Sequence, residues 1–218
     1  MLLSAYAIGY HGCEEELGEK LLSGRFTWKE KAGKENSREY DWLGTGYYFW
    51  ENDPERAWEW ATVDLKKQKR PLKSPFVVGA FIEMRLCLDL TRRADVQKLT
   101  VAHKELVSML NIFGDPIPEN VAAYPSDVNF SKRYLDHAVT KHLRELERAR
   151  KKVDYDTVRS PFAEGEEAYK GARFTTRQHM QICVINPSCI VSFFRPSGYK
   201  QSDDYLSVKL ADALTKKP

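Results

Sequence analysis

Hydrophobic and polar residues alternate from residue 5 to residue 12, and this pattern predicts a first strand that ends in a glycine-bearing turn. Residues 14–22 have helical spacing, and Gly24 follows them as a stop signal. The polar residues 29–39 predict a loop. In residues 43–51, two glycines frame a turn into a short aromatic strand. The N-terminal part of the chain therefore predicts two strands separated by a helix and a loop.

A second helix is predicted after this aromatic strand. The sequence Asn52-Asp53-Pro54 supplies a capping residue and then a proline in the first turn, and we expect the helix at residues 55–69. Residues 76–90 are apolar and β-branched, which predicts a long central strand. Two more helical patterns follow at residues 94–110 and 131–152, with a connection rich in proline, glycine and asparagine between them.

The C-terminal part of the chain returns to strands. Residues 154–174 predict a polar loop, residues 178–185 and 189–194 predict two strands, and a short helix is expected in the tail. Strands at both ends with helices between them indicate an α+β fold with a mixed or antiparallel sheet. We expect a single domain over residues 1–218, with a helical insertion at about residues 91–153.

Composition limits the possible functions without selecting one. The net charge of +3 permits a nucleic-acid partner but does not argue for it. No segment approaches the ~20 apolar residues of a membrane helix, and no signal peptide is recognisable, so we expect a cytoplasmic protein without a membrane partner. The four cysteines lack the spacing of a zinc site or a disulfide framework, and we expect no metal: Cys13, Cys87, Cys183 and Cys189.

Three short segments carry candidate chemistry: YHGC at the end of the first strand, LGTGYYF before a helix, and HMQICV on a late strand. In this order they resemble the three motif blocks of the ADP-ribosyltransferase superfamily. The branch concerned has a His–Tyr–Glu signature and includes the poly(ADP-ribose) polymerases and the diphtheria-toxin group. The resemblance is confined to these blocks. It implies a split mixed or antiparallel sheet with inserted helices, and NAD⁺ as co-substrate without a metal.

The chemistry of that family explains why these residue types are needed. Cleavage of the nicotinamide–ribose bond passes through an oxocarbenium-like state, so the site must orient the dinucleotide and place a polar group against developing positive charge. By resemblance, His11 binds a ribose hydroxyl of the adenosine half, and the Gly12 backbone meets the nicotinamide carboxamide. Tyr48 stacks on the nicotinamide ring, whereas Tyr47 and Phe49 are expected in the core because alternation sends them to the other face.

The third block departs from the family pattern. The family usually has a glutamate on the late strand that binds the nicotinamide ribose, and here Gln181 occupies that place, with His179 on the same strand face as the alternative. Glutamine can hold a hydroxyl but supplies no negative charge, which favours transfer of a single unit or a loss of activity. A carboxylate from the preceding loop, which in this family faces the acceptor, is an alternative source of charge: Glu164, Glu166 or Glu167. A solvated acidic loop would have the same composition.

Three further residues are candidates for lining the pocket. Cys13 follows the His-Gly pair, where the family often has serine or threonine, and so is a candidate contact for the nicotinamide amide. Arg56 and Trp60 lie on the helix after Tyr48, on the side that we expect to face the pocket.

These observations lead to alternative functions. The first is a mono-ADP-ribosyltransferase that modifies a protein or a nucleic acid, similar to bacterial toxins or antiphage effectors, with an antitoxin as an additional partner. The second is a binding module for NAD⁺ or ADP-ribose that keeps the pocket without transfer. The third is an RNA phosphate-transferring relative, which is disfavoured because it would need a second histidine and arginines around the pocket in place of the Tyr48 block.

Overall fold

Most of the strands belong to one sheet in the part of the chain that the computed structural model describes, which is residues 5–24, 40–125, 127, 129–151 and 154–197. The strands are β1 (Tyr6–Glu14), β2 (Tyr47–Glu51), β3 (Pro75–Glu83), β4 (Cys87–Asp89), β5 (Asn120–Val121), β6 (Lys132–Arg133), β7 (Thr157–Phe162), β8 (His179–Val184) and β9 (Ile190–Phe194). The seven-stranded sheet has the order β4-β7-β8-β2-β1-β3-β9, and β5 pairs with β6 separately.

The helices lie between these strands in the chain. They are α1 (Glu15–Leu22), α2 (Pro54–Glu59), a π-helical turn (Trp60–Asp64), α3 (Leu65–Lys67), α4 (Arg93–Phe113) and α5 (Tyr134–Lys151). Helix α2 begins as its sequence predicts, because the Asp53 side chain accepts a hydrogen bond from the Arg56 backbone N–H at 2.8 Å. Pro54 then occupies the first helical position.

The predicted α+β class with a mixed sheet is confirmed. Neighbouring strands of the large sheet are antiparallel, with the exception of the parallel pair β4 and β7. Parallel neighbours need a long crossover connection, and α4 and α5 lie in it. The segment predicted as a helical insertion is thus part of the connection between two adjacent strands.

Helices cover both faces of the sheet and bury it in three apolar clusters. Helix α1 packs on the cluster that contains Phe49, Phe76 and Ile182. On the opposite face, α4 and α5 cover β7 and β8, while α2 covers a cluster around Trp50 and Val77. Phe49 is fully buried and Tyr47 packs against the same cluster, as alternation along β2 predicts.

Two sequence predictions are wrong in detail. The long strand expected at residues 76–90 is interrupted, because Arg85 has a left-handed φ of 44° between β3 and β4. The segment expected to be a polar loop at 154–174 contains strand β7, in which Val158 and Phe162 are buried although polar residues and a proline lie between them. The loop predicted at residues 29–39 and the helix predicted in the tail lie outside the described residues.

Candidate functional site

The sheet opens between its two central strands next to the first candidate residue. Strand β1 pairs with β3 from Tyr6 to Glu14, but its described pairing with β2 covers Gly9↔Glu51 and Tyr10↔Trp50. The pairing with β2 stops before His11. A groove can form where adjacent strands separate, because side chains enter the space that the ladder hydrogen bonds would have closed.

His11 occupies this opening. Its Nδ1 donates a hydrogen bond of 2.8 Å to the main-chain carbonyl of Tyr48, so an imidazole links the two strands where backbone pairing ends. Because a carbonyl can only accept, this bond fixes the proton of the neutral ring on Nδ1 and makes Nε2 the acceptor nitrogen. Burial lowers the pKa of His11, which keeps the ring neutral at pH 7.

Tyr48 is held at both ends of its side chain. The hydroxyl donates to the Gly44 carbonyl at 2.7 Å and accepts from the Leu43 N–H at 2.9 Å, which ties strand β2 to the turn before it. Burial is the main reason why the pKa of Tyr48 lies well above its usual value, so the phenol is protonated. The aromatic ring is therefore presented in one orientation and carries no charge.

Gln181 and His179 lie side by side on β8. Gln181 is directly opposite Trp50 in the register of β2 and β8, and Tyr10 is opposite Trp50 on β1, so these side chains share one face of the sheet. Nδ1 of His179 donates to the Arg177 carbonyl at 2.8 Å, and its Nε2 lies 3.1 Å from Nε2 of Gln181. Both side chains are buried, and burial lowers the pKa of His179.

Helix α2 packs closely on the end of β1. A Cβ at Gly12 would lie 2.3 Å from the Ala57 carbonyl oxygen, so the packing of the helix itself requires glycine here. The next residue, Cys13, turns into the core beside α1, and burial raises its pKa to about 12. The Cys13 side chain is thus part of the core cluster, and its contact with the nicotinamide amide stays a prediction.

Ion pairs centred on the buried side chains of Arg56 and Asp64 form another part of the site. The Arg56 guanidinium contacts Asp64 at 2.8 Å and Glu164 at 2.9 Å. Arg177 contacts the same Asp64 carboxylate at 2.6 Å and Glu59 at 3.0 Å. The π-helical turn rotates by a smaller angle per residue than an α-helix, which returns Asp64 to the helix face that carries Arg56. We call these five side chains the ion-pair network.

Of the three candidate acids of the loop, one belongs to the ion-pair network and two do not. Glu164 is only 4% exposed and belongs to the ion-pair network, so it is not part of a solvated acidic surface. Glu166 and Glu167 are exposed, and Glu167 accepts a hydrogen bond from the Gly171 N–H at 2.8 Å. Of the three, the carboxylate of Glu164 is the one beside the other candidate residues.

A cleft of about 300 Å³ joins these groups. His11, Gly12, Tyr48 and Gln181 line it, as do Arg56, Trp60 and Glu164. The cleft thus brings together seven of the residues selected from the sequence. Cys13, His179, Glu166 and Glu167 do not line it, although His179 contacts Gln181 directly.

Other residues that line the cleft are not predicted from the sequence. Trp50 lies two positions after Tyr48 on the same strand face, so alternation alone would have found it. Asp64 and Arg177 are brought to the site by tertiary packing, and no local pattern indicates them. Further lining residues come from the turn before β2 and from the connection before α5: Tyr40, Asp41, Trp42, Tyr124, Asn129 and Ser131.

Comparisons with known proteins give no assignment, because no family model, curated protein or solved structure matches the chain. Among the described residues, no helix combines the length and apolar character needed to cross a membrane. Over the same ranges, no group of three or more His, Cys, Asp and Glu side chains is arranged to hold a metal ion.

Proposed function

We propose that the protein is a mono-ADP-ribosyltransferase that cleaves NAD⁺ and transfers ADP-ribose to a macromolecular acceptor. One observation carries the proposal: His11, Tyr48 and Gln181, selected from three distant motif blocks, line a single cleft at the place where β1 and β2 separate. The proposed function requires an ADP-ribosyltransferase-like split sheet.

Each of the three residues has geometry suited to a role in NAD⁺ binding. The neutral His11 ring offers Nε2 to a ribose hydroxyl while Nδ1 is fixed on the Tyr48 carbonyl. The Tyr48 ring, immobilised through its hydroxyl, suits stacking on nicotinamide. Gln181 lines the cleft with an amide group that can accept a hydrogen bond from the nicotinamide ribose.

In the proposed reaction, the bond between C1′ of the ribose and the nicotinamide nitrogen breaks, and its electron pair leaves with nicotinamide. An acceptor nucleophile then bonds to C1′ and loses its proton. Gln181 supplies a dipole and not a full charge, so negative charge must come from elsewhere. Glu164 is our candidate source of this charge, because it lines the cleft and belongs to an ion-pair network with three carboxylates against two guanidinium groups.

Nicotinamide release tests the proposal. The full chain is incubated with NAD⁺ and a cell extract, and free nicotinamide is quantified over time. We expect release by the native protein and at least tenfold less by the His11→Asn variant, since an asparagine side chain can still donate to the Tyr48 carbonyl but has no equivalent of Nε2. Absence of both release and NAD⁺ binding in the native protein would contradict the proposal.

A non-catalytic binding module is the second candidate, and Gln181 in place of a carboxylate is the observation that favours it. Calorimetry separates the two functions, because a module binds NAD⁺ or ADP-ribose without releasing nicotinamide.

A further inference from the structure

The contact between His179 and Gln181 has a chemical consequence for the cleft. The Arg177 carbonyl accepts from Nδ1 of His179, so that nitrogen must carry a proton. In the neutral ring, Nε2 is then an acceptor. Its neighbour at 3.1 Å is the amide nitrogen of Gln181, which can donate. The amide oxygen of Gln181 is consequently the end of the side chain that remains for a ligand.

We infer that His179 is a positioning residue that holds the Gln181 amide with its oxygen toward the cleft, so that an uncharged side chain presents an acceptor to the ribose hydroxyls. This inference rests on the proposed function for its catalytic meaning. Gln181 lines the cleft and His179 lies behind it. Among the described residues, no group donates a hydrogen bond to Oε1 of Gln181.

The orientation depends on the protonation state of His179. A doubly protonated ring has a donor at both nitrogens, and the Gln181 amide must then rotate so that its oxygen faces His179 and its NH₂ group faces the cleft. An NH₂ group directed at the developing positive charge would oppose the reaction, whereas a carbonyl oxygen stabilises it. Neutral His179 therefore corresponds to the productive amide orientation.

The surroundings of His179 favour the neutral ring. Phe162 of β7 stacks on the imidazole with ring centroids 5.7 Å apart, and the side chain is buried. The charged groups around it act in opposite directions on its pKa: Arg56 of α2 lowers the pKa, while Glu164 of the loop and Asp53 at the start of α2 raise it. Burial is the largest effect and lowers the pKa.

Two substitutions separate this role from simple packing. His179→Gln places an amide close to the position of Nε2 and cannot titrate, whereas His179→Leu fills similar space without any acceptor. We expect His179→Leu to lower kcat about tenfold or more with little change in KM, because the amide of Gln181 is no longer oriented. We expect His179→Gln to retain kcat at pH 7 and to lose the fall in kcat at the pH where His179 titrates in the native protein.

Nitrogen-15 NMR of the full chain, labelled at histidine and glutamine, gives a readout that does not require activity. We expect the Nδ1–H tautomer for His179, and a Gln181 side-chain NH₂ signal that shifts as His179 titrates. An Nε2–H tautomer, a Gln181 signal that ignores this titration, or an unchanged kcat in His179→Leu would overturn the inference. If the native protein releases no nicotinamide while both NMR results hold, the proposed function fails and the orientation of Gln181 stands.

Discussion

The cleft has two walls of different character. The strand wall, formed by β1, β2 and β8, presents uncharged groups. The charged wall, formed by α2, the π-helical turn and the 164–177 loop, presents charged groups that are paired with one another. On the strand wall, His11 and Tyr48 make their fixed hydrogen bonds to the backbone. On the charged wall, Arg56 and Arg177 are held by carboxylates. The strand wall is therefore suited to orienting a ligand, and the charged wall to setting the electrostatic potential around it.

Under the proposed function, the comparison also predicts an orientation for NAD⁺. With Glu59, which does not itself line the cleft, the ion-pair network has three carboxylates against two guanidinium groups. This excess of negative charge favours the cationic nicotinamide ring over the anionic pyrophosphate. Gln68 and Arg70 line the cleft after α3, where the basic run of residues 66–73 begins to dominate the sequence. We therefore expect the nicotinamide half beside Gln181 and Glu164, and the phosphates toward Arg70.

The largest expected effect comes from the strand wall. His11→Asn should weaken NAD⁺ binding by roughly 10²-fold, because the ribose hydroxyl loses its acceptor Nε2 and is left without a partner in the cleft. Calorimetry at pH 7.5 measures the change. The matched control is His103→Asn on the exposed surface of α4, which should leave the affinity unchanged. Equal affinity of the His11 variant and the native protein would remove His11 from the site.

A change on the charged wall should act on stability and turnover together. Glu164→Gln removes one of the two short ion pairs of a buried arginine, and we expect the free energy of unfolding to fall by about 2–3 kcal/mol and nicotinamide release to fall about tenfold. Urea denaturation and the release assay provide the two measurements. Glu166→Gln, on the same loop but exposed, should change neither. Equal effects of the two variants on stability and on release would contradict a specific role for Glu164 in the network.

The pH dependence of stability should come mainly from His11 on the strand wall and from His179, which contacts Gln181. Burial lowers the pKa of both His11 and His179, so the unfolded chain binds more protons than the native protein once the pH falls below about 6.5. Stability should be constant above that pH and should decrease below it, by about 1.4 kcal/mol per pH unit for each histidine until its native pKa is reached. Urea midpoints from pH 8 to pH 5 test this, and His11→Asn should reduce the slope.

The smallest effect is expected for the Tyr48 hydroxyl. Tyr48→Phe removes the bonds to Gly44 and Leu43 but keeps the ring, so we expect a loss of about 1 kcal/mol in stability with NAD⁺ affinity nearly unchanged. Tyr48→Ala should lose binding, since the stacking surface is removed. A Phe variant that binds as poorly as the Ala variant would mean that the hydroxyl, and not the ring, contacts the ligand.

The sequence predicts the elements that carry their own local signals. The cap at Asp53 and Pro54 marks the start of α2, and alternation along β2 separates Tyr48 from Phe49. The α+β class follows from the order of such elements. Strand β7 is not predicted, because Arg159 and Pro161 interrupt its apolar residues. Its strand conformation is fixed by pairing with β8 and β4.

The candidate site shows the same difference between residues with a local sequence signal and residues that tertiary packing brings together. Residues inside the motif blocks are predicted from the sequence, and Trp50 can be predicted from the alternation along its strand. Arg56 and Glu164 are also candidates from the sequence, but their ion pairing is not predicted, because Asp64 and Arg177 join them through a π-helical turn and through a loop more than a hundred residues further along the chain. The tautomer of His179 and the orientation of Gln181 depend on a backbone carbonyl, which no residue pattern reveals.

A crystal structure of the full chain with a non-hydrolysable NAD⁺ analogue tests the central claim most directly. The account predicts that the analogue's nicotinamide-equivalent ring lies against Tyr48, with the adjoining ribose hydroxyls within hydrogen-bonding distance of Oε1 of Gln181 and the adenosine ribose at Nε2 of His11. An analogue bound away from the opening between β1 and β2, or one that contacts the charged wall without reaching His11 and Tyr48, would contradict it.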